Sequence, residues 1–289
     1  MERHRYFFAG NRFFVLQKML ELNLPLVRIF AVPDSFLERE LQRNQIPFEK
    51  LTNKQKLVET LQQEDFEFFI SNGCPHILPV SLLQQGNNKI FVNIHPSLLP
   101  ELRGADPVPG ALLHRLTSGA TCHLMNDSID DGDIIAQVAI EMTSCLDSGL
   151  LYQLSFMAER EVFLDGYQRN FQPSVKQFLE KHNVYYTFRE KDLEISFGEG
   201  SEYIVSRVKA FNTHSKGAYF YHRDQQFKVF DAEEVNNPYL LQRIENYKEN
   251  EVVFKYEGKL LIRKDVNFLK LKQIHGDLSY IKIGDILGQ

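Results

Sequence analysis

The 289-residue chain lacks several things, and each shortage narrows what it can do. It has only three cysteines, Cys74, Cys122 and Cys145. The number is odd and no Cys-x-x-Cys pair occurs, which speaks against a disulfide framework or structural zinc and for reduced thiols. No metal site is expected. Positive charge is not in excess either: 33 Lys+Arg stand against 38 Asp+Glu, a net charge of −5. The electrostatic footprint of a nucleic-acid-binding protein is therefore missing from the total. No apolar run approaches the roughly 18 residues a membrane helix needs. The basic and apolar N-terminal stretch is interrupted at Asn11 and Arg12, and no small-residue cleavage site follows, so a signal peptide is not expected. The expectation is a cytoplasmic protein with no membrane partner. After the first apolar run the chain reads Ala9-Gly10-Asn11-Arg12 and not Gly-x-Gly-x-x-Gly, which counts against a dinucleotide-binding oxidoreductase.

What is present is an alternation of two periods. Short apolar runs predict strands at 6–9, 26–32, 66–70 and 90–94. Between them, helical spacing predicts helices at 13–20, 35–42 and 52–62, and a helical turn at 81–85. Ser35 is a candidate N-cap, with Glu38 as its capping-box partner. Strands at 120–125 and 134–142 flank the polar turn NDSIDDGDI, and helices are expected at 150–167 and between Pro173 and His182. From about residue 183 the composition shifts to short β segments, at 185–188, 194–197, 218–221, 227–230, 252–256 and 259–263, with one helix at 202–211. The pattern predicts an α/β fold: a Rossmann-like, doubly wound, mostly parallel sheet over 1–182, followed by a smaller, mostly β C-terminal domain over 183–289.

Sheets of this kind bind ligands at the carboxyl ends of their strands. Two stretches fall on that edge. One is the loop Ser71-Asn-Gly-Cys-Pro-His76. The other is NIHPSLLPELRGADPVPGALL, Asn93 to Leu113, in which an amide and an imidazole two residues apart precede a stiff, apolar segment with four prolines. On an extended chain, residues i and i+2 point to the same side, so Asn93 and His95 can face one reacting centre. A histidine exchanges protons near neutral pH, and an asparagine amide can stabilise a developing oxyanion. A carboxylate from a second loop, Asp130 or Asp131, can orient the imidazole and stabilise its charged form. No Ser or Cys is forced into the nucleophile role. This suits acyl transfer in which the substrate supplies the nucleophile.

NIHPSLLPELRG, with IDDGDII downstream, resembles the 10-formyltetrahydrofolate-dependent formyltransferases, a family that formylates glycinamide ribonucleotide, methionyl-tRNA and amino sugars. Its Asn-x-His-x-Ser-Leu-Leu-Pro pattern is met at Asn93, His95, Ser97, Leu98, Leu99 and Pro100, and its Asp-x-Gly-Asp turn at Asp130, Gly132 and Asp133. The resemblance spans roughly residues 1–170 and selects Asp130 over Asp131. It implies that a substrate amine attacks the formyl carbon of 10-formyltetrahydrofolate. Asn93 and a protonated His95 would stabilise the tetrahedral oxyanion, and Asp130 would raise the His95 pKa. It also implies a folate pocket lined by Gly73, Cys74, Pro75, His76, Ile77 and Leu78, and by Asn126, Asp127 and Ile129 of the polar turn. Ser97, Arg103 and Asp106 would belong to the amine site. The segment from Arg207 to Val235 resembles the C-terminal domain of methionyl-tRNA formyltransferase at Arg207, Ala210, Gly217 and Ala218.

The acceptor is then a question of charge. From residue 200 onward there are 14 Lys+Arg against 12 Asp+Glu, and before it 19 against 26. That is a poor surface for a polyanion. There is no long basic insertion near 33–50. A small amine is expected, an amino sugar either free or nucleotide-linked, in a protein that acts alone or as a homodimer, with no nucleic-acid partner. Methionyl-tRNA formyl transfer is the alternative within the family, and a non-catalytic folate- or nucleotide-binding module is the alternative of another class. His123 is expected to be strand packing, Cys74 to be inert, and the run Tyr219, Phe220, Tyr221 to pack in a hairpin.

Overall fold

A computed structural model of the protein describes residues 4–213 and 216–288. Residues 1–3 of the N-terminal stretch, and 214–215 within the second resembling segment, lie outside the described residues. The chain divides into two compact units. The first comprises Met1–Pro107, Thr117–Glu141 and Gln153–Tyr186, and the second Val108–Leu116, Met142–Tyr152 and Thr187–Gln289. The division thus falls after Tyr186, and two short segments that precede it in the chain group with the second unit.

The first unit is built on seven strands: β1 (Tyr6–Gly10), β2 (Leu26–Ala31), β3 (Glu49–Lys50), β4 (Phe68–Asn72), β5 (Ile90–His95), β6 (Ser118–Leu124) and β7 (Ile134–Ile140). They lie in the order β3-β2-β1-β4-β5-β6-β7. The first five are parallel, and β6 and β7 join antiparallel. Strand order reverses between β1 and β4, which makes the carboxyl ends of these strands and of β5 the natural ligand crevice.

The apolar runs follow from the layering. Every residue of β1 and β4 is buried, because helices cover both faces of a parallel sheet. Along β1 the side chains alternate between two cores. Phe8 joins Val15, Leu16 and Met19 of α1 (Phe14–Glu21) and Val162 and Phe163 of α6 (Ser148–Gln168). Phe7 joins Phe30, Phe69 and Phe91 on the other face, with Leu57 and Leu61 of α3 (Lys54–Gln63). The Phe7 ring lies 5.6 Å from Phe30 and 5.8 Å from Phe69, and Phe69 lies 5.5 Å from Phe91. Such pairs contribute roughly 0.5–1.5 kcal/mol each beyond area burial. The helix α2 (Phe36–Arg43) starts as expected: Ser35 Oγ accepts from the Glu38 N–H at 3.1 Å. Glu38 reaches back one residue further than a capping box requires, to the Asp34 N–H at 2.6 Å.

The second unit carries an antiparallel sheet of β8 (Ala218–His222), β9 (Gln225–Val235), β10 (Val252–Tyr256), β11 (Lys259–Lys264) and β12 (Asn267–His275), ordered β10-β11-β12-β9-β8. The helix α7 (Ser201–Ala210) packs Ile204 and Val208 against its apolar face.

Four expectations are corrected. No helix forms between Pro173 and His182: Ser174 and Val175 give their N–H groups to the Ile134 carbonyl on β7 instead of to one another. The strands expected at 185–188 and 194–197 reduce to single bridges, Arg103 with Tyr185 and Glu194 with Tyr219. The loop beginning at Asn93 does not stay irregular to Leu113, because α5 (Pro107–His114) begins at Pro107, whose missing N–H costs nothing in a first turn. Strand β12 was not anticipated. The remaining short helices are α4 (Val80–Leu83) and α8 (Pro238–Leu241).

Candidate active site

Asn93 and His95 end β5, side by side on one face as their spacing requires. They open into a cavity of about 420 Å³ in the first unit. Its walls come from the ends of β1 (Asn11, Arg12), β4 (Ser71, Gly73) and β5, from the loop 74–78, and from the turn after β6. Asp130 completes the floor.

The hydrogen-bond partners assign the protons. His95 Nε2 lies 2.9 Å from the Leu102 carbonyl oxygen. A carbonyl can only accept, so Nε2 carries hydrogen and donates. His95 Nδ1 then faces the Asp130 carboxylate at 3.6 Å, too long for a hydrogen bond but right for an ion contact. A proton taken up by His95 therefore arrives at Nδ1, against Asp130. His123 obeys the same rule: Nδ1 donates to the Leu124 carbonyl at 2.7 Å, leaving Nε2 as an acceptor. The Asn93 amide donates both its hydrogens, to His123 Nε2 at 3.2 Å and to Asp130 Oδ1 at 3.1 Å. Two acceptors on one side fix which way the amide points.

Burial pushes the His95 imidazole below its ordinary pKa, with His123 and Arg12 adding to the push, while Asp130 and the Leu102 carbonyl oppose it. Burial alone would raise the Asp130 carboxyl. The His95 charge, His123 and the Gly104 N–H outweigh it and hold Asp130 well below the usual carboxylate range. In its resting form the site thus holds an ionised carboxylate beside an imidazole that is ready to accept a proton.

The turn carrying Asp130 is held from both sides. Asp130 itself sits at φ +50°, in the left-handed region. Gly132 must be glycine, because a Cβ there would lie 1.8 Å from the Leu124 carbonyl oxygen. The Gly104 N–H donates to Asp130 Oδ2 at 3.1 Å. Gly104 adopts φ +109°, and a Cβ on it would meet the Tyr186 carbonyl oxygen at 2.6 Å and the Tyr185 ring at 3.1 Å. Gly104→Ala is accordingly expected to destabilise the first unit by about 1–2 kcal/mol or more through backbone strain and to withdraw the N–H from Asp130. Urea unfolding checks this, and a variant as stable as the wild type would show that the loop is free to move.

The residues expected around the site separate into two groups. Gly73, Cys74, Pro75, His76, Ile77, Leu78, Asn126 and Ile129 line the cavity together with Asn93, His95 and Asp130. Asp127 does not; its carboxylate accepts from the Ser81 N–H at 3.0 Å and the Ser81 hydroxyl at 2.5 Å. Ser97 is fully buried, with Oγ donating to the Glu101 carbonyl at 2.7 Å, and lies behind the wall. Arg103 and Asp106 also lie outside the lining, where the Arg103 carbonyl accepts from the Tyr186 N–H at 2.9 Å. Burial pushes the Cys74 thiol up to about 11, which keeps it protonated at neutral pH. His123 was expected to be packing, but it stands directly across from Asn93 in the β5–β6 ladder and bonds its amide. Arg12 and Tyr185 also line the cavity and were missed. Arg12 pairs with the fully buried Glu159 at 2.5 Å. The only signal for Arg12 was its place directly after the first strand. Tyr185 had none, because it comes from a segment remote in sequence.

Comparison with known proteins places this geometry. Residues 31–166 match the family model described as formyl transferase, and residues 188–277 match the formyl transferase C-terminal domain. The methionyl-tRNA formyltransferase of Syntrophomonas wolfei is 26% identical over 247 residues, 78% of each chain. Among solved structures, WlaRD, a sugar 3N-formyl transferase crystallised in the presence of dTDP and 5-N-formyl-THF, superposes with a TM-score of 0.72 at 19% identity, covering 94% of this chain and 98% of that one. The N-formyltransferase from Helicobacter canadensis, in complex with folinic acid and dTDP-3-aminofucose, gives the same TM-score of 0.72 at 16% identity, covering 94% and 99%.

Proposed function

Because the chain belongs to the formyltransferase family, we propose that it moves a formyl group from 10-formyltetrahydrofolate to the amine of a nucleotide-linked amino sugar. The observation that carries the transfer chemistry is that Asn93, His95 and Asp130 meet at one cavity wall. The substrate amine attacks the formyl carbon, the carbon–N10 bond breaks, and tetrahydrofolate leaves with a proton on N10. The amine gives up one proton in exchange. His95 Nδ1 is the atom placed to take it, because the imidazolium formed there faces Asp130. The Asn93 amide, which already presents two hydrogens to acceptors, stabilises the oxyanion by exchanging one of those acceptors for it. The loop 73–78 and the turn around Asn126 and Ile129 form the wall for the folate.

The choice of acceptor rests on charge. In the second unit, six basic side chains pair with carboxylates: Arg207 with Glu199, Arg223 with Asp285, Arg263 and Lys264 with Glu249, and Lys270 and Lys272 with Glu233. A surface so neutralised gains little from releasing the counterions of an RNA. The methionyl-tRNA reading is favoured instead by sequence relatives that match over 78% and 90% of this chain. One experiment separates them. Release of tetrahydrofolate is followed with nucleotide-linked amino sugars, free amino sugars and charged initiator tRNA as acceptors. Turnover on a nucleotide-linked sugar supports the proposal. Turnover on tRNA alone replaces it with the second reading, and folate binding without turnover on any acceptor would leave a binding module.

A further inference from the structure

The segment 172–186, irregular throughout, runs as a strap along the edge of the first unit and past the catalytic turn. Three anchors hold it. Ser174 and Val175 donate to the Ile134 carbonyl at 2.8 and 3.1 Å, and Ser174 Oγ donates to the Ile135 carbonyl at 2.9 Å. Asn183 Nδ2 and the Val184 N–H both donate to the Glu101 carboxylate, at 2.5 and 2.8 Å. Between them, Gln177 is buried to 7% exposure and turns its amide inward. Its Nε2 donates to the Asp130 carbonyl at 3.1 Å and to the Gly132 carbonyl at 2.9 Å. Its Oε1 is buried and meets no hydrogen-bond partner among the described residues. A buried, unpaired carbonyl carries a penalty of roughly 1–3 kcal/mol, so this glutamine is a poor choice for stability alone.

We propose that Gln177 is a positioning residue: its amide, clamped on the Asp130 and Gly132 carbonyls, sets the Asp130 carboxylate against His95. The proposal rests on the formyl-transfer reading of the Asp130–His95 pair. Asp130 occupies the left-handed region at φ +50°, which is uphill for any residue with a Cβ. In that region the direction of the Cα–Cβ bond, and so the aim of the carboxylate, depends on the peptide units on either side. Gln177 holds the unit that follows Asp130 by its oxygen, and through the Gly132 oxygen it also holds the peptide two residues further along the turn. Releasing the clamp lets the turn relax, and the carboxylate withdraws from His95 Nδ1. The strap itself stays in place, because the bonds at residues 174–175 and 183–184 do not involve Gln177.

The groups facing His95 give a readout that a merely structural residue would not move. Asp130 raises the affinity of His95 for a proton, while burial, His123 and Arg12 lower it. With the carboxylate withdrawn, only the Leu102 carbonyl is left to oppose the lowering influences. In Gln177→Met, which keeps the shape and loses both donors, the NMR titration midpoint of the His95 imidazole is expected to fall by about half a unit or more. The signal is assigned by its loss in His95→Asn. In parallel, kcat is expected to fall about 10-fold or more with KM for the formyl donor little changed. An unchanged His95 midpoint in the folded variant overturns the proposal, whatever happens to kcat. Should Gln177→Met fail to fold, the same titration in Gln177→Leu decides, since it is likewise neutral and donates to neither carbonyl. The titration needs no acceptor. A shifted midpoint in a protein that transfers no formyl group would sink the functional reading and leave the positioning role standing.

Discussion

His95→Asn is expected to lower kcat by about 10²–10⁴-fold and to leave KM for the formyl donor nearly unchanged. An asparagine amide reaches only the δ positions of the ring, so the bond from Nε2 to the Leu102 carbonyl is lost as well. What also disappears is a basic nitrogen at the Nδ1 position, where the proposed reaction delivers its proton against Asp130. Steady-state rates with the acceptor found for the wild type check this, and a loss confined to KM would show that His95 binds without reacting. The same variant has a signature in stability. The folded His95 binds its proton less tightly than a free imidazole. The stability this contributes is therefore present above the ordinary imidazole pKa of about 6.5 and is lost as pH falls through the lower folded value. Urea unfolding at about pH 7.5 and about pH 5.5 should show a smaller loss in His95→Asn than in the wild type.

The second large effect belongs to Asp130. Asp130→Asn is expected to reduce kcat about 10²–10³-fold and to move the His95 limb of the kcat/KM profile to lower pH. The carboxylate accepts from Asn93 Nδ2 through one oxygen and from the Gly104 N–H through the other. An amide has a single acceptor oxygen, so one of these donors must face an NH2 group. The imidazole also loses the charge that favours its protonation. If the rate drops but the pH profile stays put, Asp130 does not act through His95. The sign for stability is again acid-labile: the carboxyl is depressed in the folded state, so its contribution is present above the ordinary carboxylate range and is lost as pH falls through the folded value.

Much of the first unit was legible in the sequence because buried parallel strands cannot disguise themselves. Tyr6–Gly10 and Phe68–Asn72 are buried on both faces, and the apolar runs Tyr6–Gly10 and Phe68–Ile70 announce them. Other elements misled for equally physical reasons. Val175, Phe178 and Leu179 have helical spacing, yet they are exposed, at 57%, 71% and 39%, and the backbone beside them bonds to β7. Periodicity reports which residues share a face; it does not report whether that face meets a core. In β12 the alternation is present at Leu269, Lys270, Leu271 and Lys272, with the two leucines buried and the two lysines half-buried.

Local order is what the residues by themselves determined: the strands, the turns, the two-residue spacing that puts Asn93 and His95 on one face, and the Asp-x-Gly-Asp turn whose glycine the Leu124 carbonyl demands. These depend on neighbours within a few positions, so a linear reading reaches them. Tertiary structure decided everything that depends on register between distant segments. The antiparallel pairing of β5 with β6 sets His123 opposite Asn93. The strap brings Gln177 to the turn 45 to 47 positions away and Tyr185 to the cavity wall. The burial that pushes His95 down, and the charge on Asp130 that pushes back, exist only once the chain has closed over both. Spacing along the chain carries the identity of the reacting groups, but their protonation and aim are properties of the enclosed site.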